Sequence, residues 1–327
     1  MRYKHVRRAR PILGTLVEIS LTGRRESELH DAAAHAFAEI ERVHDLMSLH
    51  SAGSDLFRLN NAPVGSHVQI NARTWCVLEL ALDICHDSDG VFNVGVGGEM
   101  MARGDVPWMV SRLPDSKATF RDIELLPDRC VRFRRALVID VGGIAKGYAV
   151  DSAVRVLQDH GVLAGCVNAG GDLRAFGDEV VTVQVRDPLD PSVARAHVDL
   201  RDRALATSAN YANSHGFNAA GVVLDPRVGA SVVPGRSASV RAQSCAVADA
   251  LAKCVLVLGE ASAPLLRRYR ADAFMVASDE CIVIDTHQPA GGESTADADV
   301  SGGTETYSCS VNAEKRGVSS GPGAVTP

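Results

Sequence analysis

No apolar run in this 327-residue chain is long enough to cross a bilayer. The basic opening "MRYKHVRRAR" leads into "PILGTLVEIS", which alternates like a strand and supplies no h-region for a secretory signal or lipoprotein anchor. The arginine pair at 7–8 likewise lacks the hydrophobic stretch of an export signal. The expectation is a cytoplasmic protein. A net charge of −6 gives no overall positive field for nucleic acid. The eight cysteines, at 76, 85, 130, 166, 245, 254, 281 and 309, form no C-x-x-C, and no His pair sits at zinc spacing. Reduced, mostly buried thiols are expected rather than disulfides or a zinc site. No P-loop signature G-x-x-x-x-G-K-[ST] and no internal repeat is found.

What is present is an ordinary globular composition, 46% hydrophobic and 23% charged. The length allows a large core in one domain or two. "TLVEISL" (15–21) alternates as a half-buried strand. From Glu28 to about His50, Leu29, Ala33, Phe37, Ile40, Val43 and Met47 recur at helical spacing. That helix ends in the loop-like "SLHSAGSDLFRLNNAP". Further helices are predicted at about 73–86, 146–159 and 246–258, and strands at "ALVID", "GCVN", "VVTVQVR", "GVVL", "SASVRA", "AFMVA" and "CIVID". Without strict βαβ alternation, the pattern predicts an α+β fold. After Thr286 the composition turns to Gly, Ser, Thr, Ala and Pro, so 287–327 is expected to be a disordered tail behind a domain spanning 1–286.

The segment with most chemical content is "VIDVGGIAKGYAVD" (138–151), where a strand meets Asp140, two glycines, Lys146, another glycine and a helix. A glycine turn feeding a helix N-terminus presents backbone N–H groups and the positive end of the macrodipole, and Lys146 adds a mobile charge. That is a seat for phosphate. A tight strand–helix connection with Lys146 in solvent uses the same residues without a ligand, and both readings stand at this point. A second glycine corner, "CVNAGGDLRAFG" (166–177), places Asn168, Gly170, Gly171 and Asp172 at the end of an apolar strand. In "GVFNVGVGG" (90–98), Phe92 and Asn93 stand among small residues that would admit a planar ring. In "CAVADALAKCVLVLG", Asp249 and Lys253 fall four apart on a helix whose other neighbours are mostly apolar. A carboxylate buried there needs a partner such as a cation.

Taken in order, "ILGTLVEI", "MSLHSAGSDLFRLN", "GVFNVGVGG", "VIDVGGIAKGYAVD", "VNAGGDLRAFG", "LATSANY", "LDPRVG" and "SVRAQSCAVADALAK" resemble the motifs of the ApbE-type FAD:protein FMN transferase family over about residues 10–285. The resemblance implies mixed sheets with flanking helices around a central flavin-binding cleft. It implies FAD as donor, Mg²⁺ on the pyrophosphate, transfer of FMN to a Thr or Ser hydroxyl of an acceptor flavoprotein, and release of AMP. Such chemistry needs charge neutralisation and in-line positioning more than covalent help. Carried onto this chain, it puts flavin contacts at Leu13, His50, Val91, Phe92 and Asn93, with Asp140 and Lys146 near the nucleotide. The metal would meet Asp249, the carbonyl of Gly143 and position 253.

Three positions depart from the family pattern. Val222 stands where a His precedes the Asp of D-P-R, which shifts the catalytic expectation to His215 or Asp225 beside Lys146. Lys253 stands where a Thr follows the metal-binding Asp, and an ammonium there repels Mg²⁺ or neutralises phosphates itself. Asn93 replaces an aspartate. Two other outcomes are consistent with these departures: an FAD-binding protein without transferase chemistry, and an FAD pyrophosphate hydrolase giving FMN and AMP. In the tail, "SGGT" (301–304) faintly resembles the acceptor motif S-G-A-T and makes Thr304 a self-modification candidate.

Overall fold

The computed structural model describes residues 3–105, 107, 110–210, 223–277, 280–286 and 307–309. The chain opens with β1 (Lys4–Ile12), β2 (Thr15–Gly23), α1 (Glu26–Met47) and α2 (Asp55–Asn61). Next come β3 (Val68–Gln69), α3 (Ala72–Asp87), α4 (Gly97–Arg103), β4 (Ile123–Leu126), β5 (Cys130–Phe133) and α5 (Ala145–Asp159). A run of strands follows: β6 (Ala164–Ala169), β7 (Asp172–Phe176), β8 (Val181–Arg186), β9 (Ala194–Leu200), β10 (Ala204–Asn210), β11 (Leu224–Asp225), β12 (Ala230–Ser231) and β13 (Arg236–Ala242). The remainder is α6 (Cys245–Leu258), α7 (Ala263–Arg268), β14 (Asp272–Ala277), β15 (Glu280–Ile284) and β16 (Tyr307–Cys309). The fold is α+β.

Its spine is an eight-stranded antiparallel sheet in the order β1-β2-β6-β7-β10-β13-β14-β15. The two-residue period of the strands sends alternate side chains to opposite faces. Ala204 and Ala206 of β10, with Ala273 and Met275 of β14, join the main core, where α1, α5 and α6 pack. Leu205, Phe274 and Val276 face the other way and form a second cluster with Val185 of β8 and Val198 and Leu200 of β9. The sheet is thus sandwiched between a helical layer and the small β16-β9-β8 sheet. Two further small sheets, β3-β5-β4 and β11-β12, lie apart from it in the pairing.

The basic start of the chain is β1, paired with β2 along its whole length. Only Val6 in it is buried, so it carries no alternation for sequence reading to detect. Its arginines sit on the outermost strand of the sheet, where charge discourages further pairing.

The structure departs from expectation at several places, the first being the loop-like stretch after α1, where Ser54 accepts from Phe57 N–H and starts the helix α2. "ALVID" (136–140) is extended but forms no strand. Its backbone groups are taken up elsewhere: Asp115 N–H donates to Ala136 O at 2.7 Å and Gly97 N–H to Val138 O at 3.1 Å, while Asp140 N–H donates to Val94 O at 2.8 Å. In the tail, Tyr307–Cys309 pairs with β9, Tyr307 opposite Val198, because that strand has a free edge. The rest of the tail, with Thr304, lies outside the described residues. Cys281, on the outermost strand β15, is disulfide-bonded, which corrects the expectation of reduced thiols there. Cys76, Cys85, Cys130, Cys166, Cys245 and Cys254 are free. Among the described residues no helix is long and apolar enough to cross a membrane.

Candidate active site

The 138–147 segment is fixed from both sides. Asn60, at the end of "FRLN" on α2, is buried and clamps Ile139: its Nδ2 donates to Ile139 O at 3.0 Å, and its Oδ1 accepts from Ile139 N–H at 2.9 Å. This bidentate clamp does for residue 139 what a neighbouring strand would otherwise do. The next residue, Asp140, closes the turn by accepting from Gly142 N–H at 2.7 Å. Burial pushes the Asp140 carboxyl above its ordinary value, against the opposite pull of that hydrogen bond and of nearby His50 and Lys253.

The third glycine of the motif has a steric reason. A Cβ on Gly147 would lie 2.3 Å from the carbonyl oxygen of Cys245, so only glycine lets α5 pass this close to the start of α6. At that crossing the helices cap each other. Asp249 of α6 accepts from Gly147 N–H in the first turn of α5 at 3.1 Å. Asp151 of α5 accepts from Cys245 and Ala246 N–H, the first two residues of α6, at 2.9 Å each. Both carboxylates therefore stand at the positive end of the other helix. Arg174 of β7 also donates to Asp151, at 2.8 Å.

Four charged side chains gather beside this crossing. Lys146 pairs with Asp172, and Lys253 pairs with Asp249. Lys253 Nζ also donates to the main-chain oxygen of Asp249 at 2.9 Å. Asp172 and Asp249 are 2% and 0% exposed, whereas the two lysine side chains keep 35% and 24% of their surface. The carboxylates are thus the floor of the cluster and the lysine side chains its partly exposed part. Burial, reinforced by Asp249, raises Asp172 to about 6 even though Lys146 and Lys253 oppose the shift. Burial would lower Lys146, but Asp249 and Asp172 outweigh it and hold the ammonium above the ordinary lysine value. Lys146 is a fixed cation and cannot act as a base near neutral pH.

The structure brings most of the expected positions together. A Cβ on Gly143 would meet Phe92 Cε2 at 3.1 Å and the Cδ and Cε of Lys253 at 3.2 Å each, which places turn, ring and lysine stem in one spot. Val91 and Phe92 are buried in the main core. Asn93 is occupied as a cap, its Oδ1 accepting from Gly95 N–H at 2.8 Å. Leu13 lies in the β1–β2 turn with φ of 59°, and Thr15 after it presses on Gly170 of the second glycine corner. His50 is exposed just beyond α1. Asp225 belongs to the β11–β12 hairpin, where Arg227 grips its carboxylate through Nε at 3.0 Å and Nη2 at 2.9 Å. Those bonds hold Asp225 below the usual carboxylate range. His215 and Val222 lie outside the described residues. Sequence reasoning named Asp172 without giving it a role and did not single out Asn60. Asp172 stands in the second glycine corner and Asn60 in the R-L-N motif, but neither pattern reveals which distant group each one meets.

Mg²⁺ does not fit the expected ligands. Asp249 already accepts from Lys253 at Oδ1 and from Gly147 N–H at Oδ2, and its carbonyl accepts from Lys253 again, so a metal there would meet the ammonium at close range. Lys253 offers only donors, so it is no metal ligand. A dication about 4 Å from an ammonium would be repelled by roughly 8 kcal/mol at an effective dielectric constant of about 20. Among the described residues no three His, Cys, Asp or Glu side chains are gathered to hold a metal. What the arrangement offers instead is a glycine turn and two ammonium groups, suited to an anion of the diphosphate kind.

Residues 13–275 match the ApbE family. A Rhodobacter capsulatus protein named FAD:protein FMN transferase is 29% identical over 272 residues, covering 77% of this chain and 51% of its own length. The chain therefore spans about half of that relative. A Treponema pallidum protein of the same name is 26% identical over 315 residues, 85% of this chain and 86% of that protein. The apo structure of Pseudomonas stutzeri flavinyl transferase ApbE superposes with a TM-score of 0.71 at 21% identity, over 86% of this chain and 94% of the other. That likeness concerns the fold.

Proposed function

The chain belongs to the ApbE family, and on that premise we propose that it transfers FMN from FAD to a Thr or Ser hydroxyl of an acceptor protein. The observation that carries the reading is the meeting of the Gly143 turn, Lys146 and Lys253 over the buried Asp172 and Asp249. The curated relatives named FAD:protein FMN transferase support it.

In the reaction, the acceptor hydroxyl oxygen attacks the flavin-side phosphorus of FAD. The bond from that phosphorus to the oxygen shared with the adenylate breaks, and AMP leaves with the electron pair. The hydroxyl proton passes to a neighbouring acceptor or to water. A loose phosphoryl transition state calls for cations around the phosphates more than for a strong base. Lys146 stays charged and serves the leaving phosphate. Asp225 stays ionised under the grip of Arg227, which suits it to orient the attacking hydroxyl, since a carboxylate offers about four acceptor positions.

The test combines the full chain, FAD and an acceptor protein carrying an S-G-A-T segment. Flavin fluorescence on the acceptor that survives a denaturing gel, with AMP formed in step, is the expected result. FAD binding with neither product would make the chain a flavin-binding protein. AMP formed without acceptor would make it a pyrophosphate hydrolase.

A further inference from the structure

We propose that Lys253 is a built-in cation of the dinucleotide site: its ammonium takes the place of a divalent ion and contacts the substrate diphosphate directly. The inference rests on the reading of the site as one that binds FAD.

Three features of Lys253 carry it. Its stem runs past Gly143, where a Cβ would touch both Cδ and Cε, so the side chain is confined to the turn that receives the phosphates. Its ammonium sits on Asp249, between the carboxylate and the main-chain oxygen of the same residue. An ammonium has three N–H donors, and these two bonds leave one for a phosphate oxygen. The Lys253 side chain keeps 24% of its surface exposed, whereas Asp249 beneath it is closed off.

Position also explains why a lysine works here. Residues four apart on a helix stand one above the other, so a lysine at 253 reaches back to Asp249 without strain. A hydroxyl at 253 would add a third oxygen to those of Asp249 and Gly143 and suit a hard dication. The ammonium instead supplies the positive charge through a covalent tether. Its occupancy does not depend on the metal concentration, and a chelator cannot remove it.

The experiment measures FAD affinity of the full chain by flavin fluorescence, in excess EDTA and in millimolar Mg²⁺. For the unaltered protein the two affinities are expected to agree within about twofold. Lys253→Met should bind FAD about tenfold or more weakly in both buffers, because one charge-assisted hydrogen bond is lost. Lys253→Thr should bind weakly in EDTA and regain affinity with Mg²⁺. A fall of about tenfold for the unaltered protein in EDTA, reversed by Mg²⁺, would overturn the proposal, as would Lys253→Met binding like the parent. The unaltered protein alone decides the first point, so a poorly folding variant does not block the test. If FAD binds but neither transfer nor AMP release occurs in either buffer, the transferase reading fails and the affinities still decide the role of Lys253.

Discussion

Asp151 and Asp249 each cap the helix that carries the other. Asp151 accepts from the first two N–H groups of α6, and Asp249 accepts from Gly147 in the first turn of α5. This exchange locks the crossing on which the charge cluster rests. Asp151→Ala should cost about 3–5 kcal/mol, because it strips a buried carboxylate from Arg174 and from two N–H groups. Asp151→Asn keeps an acceptor and should cost clearly less. Urea denaturation of both variants checks the order.

Gly147→Ala should destabilise by about 3 kcal/mol, at or above the upper end of ordinary overpacking. The added methyl meets backbone, the Cys245 carbonyl, and neither helix can shift without breaking a cap. A melting temperature within a degree of the parent would show that the crossing yields more easily than its geometry implies.

Asn60→Leu should weaken FAD binding without touching the ligand. The substitution orphans the buried N–H and C=O of Ile139, at about 1–3 kcal/mol each, and releases the residue just before Asp140. Fluorescence titration with FAD at a temperature where the variant is folded separates this effect from global unfolding. Unchanged affinity would mean that the turn keeps its shape unaided.

Asp172 predicts a pH dependence of stability. Its carboxyl is raised from 3.8 to about 6, so the fold disfavours its charged form. The contribution of Asp172 is therefore full below pH 3.8 and is lost as pH rises through about 6. Across that window the parent should lose on the order of 1–3 kcal/mol relative to Asp172→Asn. Parallel denaturation curves for the two proteins at pH 4, 5, 6 and 7 give the difference, and a difference independent of pH would remove the assignment.

The long helices and the interior strands β2, β6, β13 and β14 were legible because their side chains repeat with the period of the element, whereas the interior strands β7 and β10 were not read as strands. The apolar positions of α1 are buried as the helical spacing predicts. β1 was not legible, because an edge strand buries one side chain of nine and carries charge on the rest. "ALVID" misled for the opposite reason: it is apolar and buried, but its partners are an asparagine side chain and a short turn. Hydrophobicity reports burial and does not say which group satisfies a backbone.

By itself, the order of residues settled the kind of fold, the glycine-rich corners, and the presence of Asp249 and Lys253 as charges in apolar company, while Lys146 stood open between a phosphate seat and solvent. All of these follow from local periodicity and from the rarity of buried charge. The four-residue spacing on one helix already set Lys253 beside Asp249, whereas only the folded chain put Lys146 of α5 on Asp172 of β7 and decided how α5 and α6 cross, because those contacts join elements distant in the sequence. That crossing is possible where residue 147 has no side chain, a condition set by the neighbouring helix and invisible in the segment that contains it.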